Sequence, residues 1–513
     1  MTRTHPATAD FNNGEFQRAF LAADYAECRR LLESRKGGDR ETLLAAKVAW
    51  REQRYLDMIG ALSSFKPANE HDALERDVLL GAALGSTKEY ETARMRLDRV
   101  LEDAKSNKEL KMDAVFYKSL VAWMQFEHRE SETLASELLK GDPNDHARGH
   151  ILLSWIAIRR HDVQTQVIEL TAALDVLDKA KEPDEHYRAK ALMTLALLCR
   201  ELPLPEQTLR VRQTYDKMEW TTGTVLPHFQ TTRFLGWVEA LQGNEVGAFG
   251  LFRTAMSLAP SDAWRVLCLT DRAYLARNTG EQSFATDLLH DAHGLAKKVA
   301  WHDTADEERS ALIVLAELFA DVDPAVSQQY LAQFRSLTAS VLPGLSYGTD
   351  PRVRAFANYS SGMALMRFGE RAEAVRLLSE AWEIFHAFGY GWREALCAFA
   401  LHEATSEIDW LNKARHAIAP WPRSWIARDI ATAGQKRERS APSTAQRRVL
   451  ELLLEGKSNA AIAKALGRSP YTVRNHISQL FKNFRVTNRT QLASLFSGPD
   501  SAGRGEAKRR NLG

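Results

Sequence analysis

Between Asn12 and about Ile418 the chain sets apolar residues at steps of three and four almost without interruption, and alternating β-branched runs are nearly absent. A helical period held over four-fifths of 513 residues leaves little room for strands. Breaks recur at intervals of roughly 30–40 residues, and a shared local pattern follows several of them. Tyr25 is followed by Cys28 and Leu32, Tyr55 by Met58 and Leu62, and Tyr90 by Ala93 and Leu97. Farther on, Gly243-Asn244 leads to Ala248 and Phe252, Gly280 to Ala285 and Leu289, and Gly369-Glu370 to Ala374 and Leu378. A smaller residue followed four positions later by a large apolar one puts both on the same helix face. The smaller one admits a neighbouring helix and the larger one fills the groove between them. No single helix pair buries such a face alone, so the pattern predicts a stack of many pairs.

The segment FGERAEAVRLLSEAWEIF, from Phe368 to Phe385, resembles tetratricopeptide-type repeats. The resemblance extends, in degenerate form, over the whole helical region. It implies an all-α superhelix of helical hairpins whose groove takes a protein, peptide or small-molecule effector. Taken without that resemblance, the residues also fit an irregular helical domain with no groove. The pattern stops near Ala419, where Pro420 and Pro422 flank Trp421. The polar run ATAGQKRERSAPS that follows reads as a mobile linker.

Charge divides the chain at about the same place. Residues 436–513 hold 16 Lys and Arg against 5 Asp and Glu, a balance of +11 in a chain of net charge +2, so residues 1–435 carry −9. A short basic region on an acidic body is what a polyanion-binding module joined to a second unit shows. Other classes find less support. The N-terminal MTRTHPATADFNNGEF lacks the apolar run of a secretory signal, and the longest apolar stretch, Ala191 to Cys199, falls far short of the roughly 20 residues of a membrane span. A cytoplasmic protein without membrane contact is expected. Cys28, Cys199, Cys268 and Cys397 are scattered among Ala and Leu with no metal-ligand spacing, as buried reduced thiols would be.

From Ser443 to Phe496 four short helical pieces have recognisable ends. Ser443 can cap a first helix carrying Val449, Leu450 and Leu453, which stops at Gly456. Ser458 can cap NAAIAKAL, which ends at Gly467; Ser469 can cap a third helix with Pro470 in its first position. On that third helix Val473, Ile477, Leu480 and Phe484 make an apolar stripe, matched by Ile462 and Leu466 on the helix before it. The opposite stripe, Tyr471, Arg474, Asn475, Ser478 and Lys482, has no need of a core. Arg pairs in bidentate fashion with guanine and Asn with adenine, while Ser and Lys reach base edges or phosphates.

The run EGKSNAAIAKALGRSPYTVRNHISQLFKNFRVTNRTQLASL, Glu455 to Leu495, resembles the LuxR/GerE-type helix-turn-helix of bacterial regulators. The resemblance lies in Gly-x-Ser-Asn-x-x-Ile-Ala, Ser-x-x-Thr-Val-Arg-x-His and Val-x-Asn-Arg. It implies that the helix beginning at Ser469 enters the major groove while Ser458 to Leu466 braces it. The base-facing positions then fall on Arg474, Asn475 and Ser478, and the DNA-backbone contacts on Ser469, Thr472, Lys482, Asn488 and Arg489, the last two also capping the final helix. Two departures from the family stand out. Ala445 and Gln446 replace an Arg-Glu pair, and Arg485 stands where a glycine is usual, which in a left-handed turn costs about 1 kcal/mol.

The expected organisation is a disordered 1–11, a tetratricopeptide-like domain at 12–418, a linker at 419–441, a LuxR-type domain at 442–497 with its helix-turn-helix at about 458–477, and a disordered basic tail at 498–513. Enzyme chemistry is not expected. GAALGSTK, Gly81 to Lys88, has the wrong order for a phosphate loop, and His290 with His293 makes at most half a metal site, so neither metal nor cofactor is called for. The chain thus reads as a sequence-specific, DNA-binding transcriptional regulator with a sensing repeat region. A protein-interaction scaffold with weak, sequence-blind DNA tethering is the other reading. Double-stranded DNA is the partner in both, and half-site geometry admits a homodimer. Leu492, Leu495 and Phe496 would lie either at that dimer contact or in the module's own core.

Overall fold

The computed structural model describes residues 13–33, 38–103, 107–304, 306–339, 351–440, 443–484 and 486–494. The expected disordered ends, Arg485, Leu495 and Phe496 lie outside them. Among the described residues there are 27 α-helices and no strand. They form two units, Met1–Ala427 and Arg428–Gly513.

In the first unit 22 successive helices pair into eleven antiparallel hairpins, from Asn13–Leu21 with Tyr25–Glu33 to Gly391–Thr405 with Ile408–Ile418. The small-and-large pairs read from the sequence are the inner faces of these hairpins: Ala93, Leu97, Ala248, Phe252, Ala374 and Leu378 are all 0% exposed. Each pair meets a third residue on the preceding helix, twelve positions before the small one. A Cβ on Gly81 would stand 2.7 Å from Leu97 Cγ, one on Gly236 2.7 Å from Phe252 Cε1, and one on Gly362 2.8 Å from Leu378 Cγ. Helices at such close approach leave no room for a methyl group. Gly362→Ala is therefore expected to destabilise the unit by about 1–3 kcal/mol, read as a lower urea midpoint. Gly250, whose added Cβ meets nothing within 4 Å, is the control at which alanine has no such cost.

Left-handed turns close the hairpins at Ala23, Gln53, Lys88, Phe126 and His161 in the first half and at Gly243, Gly280, Gly369 and Ser406 in the second. Non-glycine residues in this conformation cost roughly 1 kcal/mol each. That substitution is one reason why the repeat looks degenerate in sequence.

The array also curls back on itself. Arg51 reaches Asp184 (Nη2 to Oδ2 2.6 Å), and the hydroxyl of Tyr25 is 3.0 Å from Nδ1 of His186. The N–H of Gly223 donates to the carbonyl of Ala23 at 3.1 Å. At the far end of the same helix, Glu185–Glu201, the carboxylate of Glu201 accepts from Nε of Arg393 at 2.7 Å, across 192 positions. One helix thus serves as a seam joining both ends of the array to its middle. All four cysteines are buried and free. No helix among the described residues is long and apolar enough to cross a membrane.

The stretch read as a linker, 419–441, instead carries the helix Trp425–Ser440. Trp421 and Trp425 are buried, and Trp425 lies 6.1 and 6.3 Å from the rings of Trp237 and Trp392. The prolines do break the preceding helix, but Ser424 accepts from the N–H of Ala427 at 3.2 Å and so starts a new one. Two tryptophans and Ile426 gave the segment apolar surface to bury, and this outweighed its polar remainder.

Candidate nucleic-acid interface

In the second unit the four module helices are Thr444–Leu454, Asn459–Leu466, Pro470–Asn483 and Arg489–Ser494. Their ends follow the local chemistry of the sequence. Ser443 accepts from the N–H of Gln446 at 3.2 Å while Gln446 Oε1 accepts from the N–H of Ser443 at 2.7 Å, a reciprocal capping box. Gln446, a departure from the family pattern, therefore has a structural use. Ser458 and Ser469 cap the next two helices, and Gly456 (φ 83°) and Gly467 (φ 59°) supply the left-handed turns.

The core is Val449, Leu450, Leu453, Ile462, Ala463, Val473, Ile477, Leu480 and Leu492, with Leu466 and Phe484 half-buried against it. Leu492 is 0% exposed, so it closes the module's own core. This buried stripe fixes the rotation of Pro470–Asn483 and turns the opposite face outward. Arg474, Asn475, Ser478 and Lys482 are exposed, and their side chains have no hydrogen-bond or ion-pair partner among the described residues. Spaced at i, i+1, i+4 and i+8, they form one polar stripe. Tyr471 extends it at 69% exposed, a large aromatic that the sequence reading placed in the stripe but gave no role. His476 is half-buried at the rim.

The five residues expected at the DNA backbone divide into separate groups. Lys482 is free and exposed. Ser469 Oγ accepts from the N–H of Thr472 at 3.1 Å and lies 2.9 Å from its Oγ1, so both hydroxyls serve the helix start. That start still presents backbone N–H groups and the positive end of a helix dipole, a suitable place for a phosphate. Asn488 accepts from the N–H of Gln491 at 2.9 Å and caps the last helix. Arg489 turns inward: its Nη2 donates to the carbonyls of Leu453, at 3.1 Å, and Lys457. It ties the last helix to the end of the first. A carbonyl left open at a helix end recruits such a donor, and sequence spacing gives no sign of it.

Residues 443–496 match the family model GerE, described as bacterial regulatory proteins of the luxR family. This segment is a LuxR/GerE-type helix-turn-helix domain. Over it, the chain is 40% identical across 55 residues to the HTH-type transcriptional regulator YhjB of Escherichia coli (strain K12), which is 11% of this chain and 28% of that protein. It is also 45% identical across 51 residues to an HTH-type transcriptional regulator in the exeN 3' region of Aeromonas salmonicida, 10% of this chain and 26% of that one. The chain thus spans about a quarter of the length of these curated relatives, and the likeness is confined to the LuxR-type domain. Among solved structures, a Rap protein complexed with Competence and Sporulation Factor is similar at a TM-score of 0.46 and 10% identity, covering 71% of this chain and 99% of that one.

The other sequence candidates have ordinary surroundings. His293 is hydrogen-bonded to the hydroxyl of Tyr330 at 2.7 Å and packs edge-on against Phe319. Among the described residues no three His, Cys, Asp or Glu side chains gather as metal ligands.

Proposed function

We propose that the chain is a sequence-specific, DNA-binding transcriptional regulator in which the helical repeats sense a ligand or protein partner and the LuxR-type domain reads the operator. The observation that carries this reading is the exposed, unpartnered stripe Arg474, Asn475, Ser478 and Lys482 on a helix whose other face is locked into the module core. Arg474 is the guanine reader, Asn475 the adenine reader, and Ser478 meets a base edge one turn on. Lys482, Asn488 and the helix start at Ser469 and Thr472 hold phosphates and fix the register. One module covers few base pairs, so two half-sites and a homodimer complete the readout. With Leu492 used in the core, that dimer contact draws on other residues.

Competition binding of the full chain at two salt concentrations tests this. Arg474→Ala is expected to cost about 1–3 kcal/mol on the preferred site and to relax its sequence preference. Lys482→Ala weakens all sequences evenly and lowers the salt slope by about one. Equal affinity for random DNA, with Arg474→Ala changing only the salt slope, would select the tethered-scaffold reading instead.

A further inference from the structure

A cavity of about 250 Å³ lies within the repeat unit, where the helices Glu185–Glu201, Val225–Leu241, Asp262–Thr279, Pro351–Phe368 and Gly391–Thr405 converge. Its walls are rich in rings, Trp237, Trp264, Phe356 and Trp392 among them, and they also carry charge. Most of that charge is matched. Arg233 forms a bidentate pair with Asp271, and Arg277, just behind the wall, donates to Glu317 at 3.0 Å while Ser360 holds the other oxygen at 2.8 Å. Glu307 and Arg352 add one charge of each sign to the lining.

The imbalance is at Glu201, which is 1% exposed and serves two guanidiniums at once. Its Oε1 takes Arg200 Nη2 at 2.5 Å and its Oε2 takes Arg393 Nε at 2.7 Å. Burial, with the neighbouring Arg393 and Arg233 charges, pulls Arg200 down to about 10. Among the described residues one positive charge thus remains without a counter-charge. The two Nη nitrogens of Arg393 have no partner among the described residues. The guanidinium is nevertheless held in place, with Cζ 4.3 Å from the ring centroid of Trp392 and 5.2 Å from that of Phe356.

We propose that this cavity is the binding site of a small carboxylic acid with a ring-sized apolar body, its carboxylate on the Nη fork of Arg393 and its body between the aromatic walls. A planar fork fixed along one edge presents two parallel donors on the other, which is the geometry a carboxylate accepts. Flat walls favour a flat body. A volume of about 250 Å³ is just under the usual range of small-molecule sites and suits a body of one ring. The site deepens the sensor reading and rests on it only for the effect of the acid on DNA binding.

Calorimetry on the full chain with benzoate, phenylacetate and indole-3-acetate, each against its neutral amide, and with inorganic phosphate, tests the site. At least one acid is expected to bind about tenfold or more tightly than its amide. Arg393→Lys, which keeps the charge and loses the fork, weakens that acid about tenfold. Leu396→Trp, which fills the cavity and spares Arg393, abolishes its binding. An unchanged thermal unfolding transition shows that each variant is folded, and either variant alone suffices for the test. The proposal is overturned by amides that bind as well as the acids, by phosphate binding as tightly as any acid, by folded variants of undiminished affinity, or by no acid binding at about 1 mM. DNA affinity measured with and without the acid separates the two readings. An acid that binds through Arg393 but leaves DNA affinity unchanged upholds the site and removes the sensor reading.

Discussion

Leu480→Ala is expected to abolish DNA binding while the repeat unit stays folded. Leu480 is 0% exposed in a core of nine buried side chains, and it lies on the helix that carries Arg474, Asn475 and Ser478. Truncating a buried leucine costs about 2–5 kcal/mol, and a core of this size rarely supplies more than about 3–5 kcal/mol in all. The substitution therefore takes most of the stability of a module spanning residues 443–496. Gel-shift titration should show no complex at concentrations where the parent chain is saturated. The helical signal of the full chain should fall only slightly, because the eleven hairpins are untouched. Arg474→Ala gives the contrast, a folded module with altered specificity. If Leu480→Ala bound DNA normally, the polar stripe would not depend on the core beneath it, and DNA would be held by another surface.

Asp184→Ala is expected to cost about 3–5 kcal/mol and to open the N-terminal hairpins from the array. Asp184 is 3% exposed, accepts from Arg51, and also caps its own helix through the N–H groups of His186 at 3.1 Å and Tyr187 at 3.4 Å. Removing the carboxylate strands the guanidinium of Arg51 among Tyr187 and Phe20, with Cζ 4.3 and 5.0 Å from their ring centroids. An unpaired buried charge costs far more than the ion pair was worth, so the double change Arg51→Met with Asp184→Leu should recover much of the loss. Urea unfolding gives the magnitude. Hydrogen exchange gives the place, with protection lost first in 13–64 and around 185–200. A loss spread evenly over all eleven hairpins would show that the seam has no separate existence.

The two regions differ in how far they could be read in advance, and the reason is the range of the interactions involved. Caps, left-handed glycines and an apolar stripe act within a few residues, so Ser443, Ser458, Ser469, Gly456, Gly467 and the sequence Val473, Ile477, Leu480 are where the pattern puts them. Arg489 is the exception, because its partners lie 32 and 36 positions upstream. In the array the pairs Ala93 with Leu97 and Ala374 with Leu378 were legible, while the glycines they receive, Gly81 and Gly362, were not. The signal was present as a fixed offset of twelve residues, but it joins two helices and is invisible to a search along one.

By itself the sequence determined an all-α chain, the number and polarity of the module helices, and the face of Pro470–Asn483 that points away from the core, since periodicity and capping fix these locally. Only the tertiary structure decided that the described helices of the array pair into eleven hairpins, that 425–440 is helix, that Glu185–Glu201 is a seam, and that Glu201 is shared by Arg200 and Arg393. Each of these depends on residues far apart in the chain that meet only once the array has curled. A cavity between distant helices, unlike a cap or a stripe, has no local period to announce it.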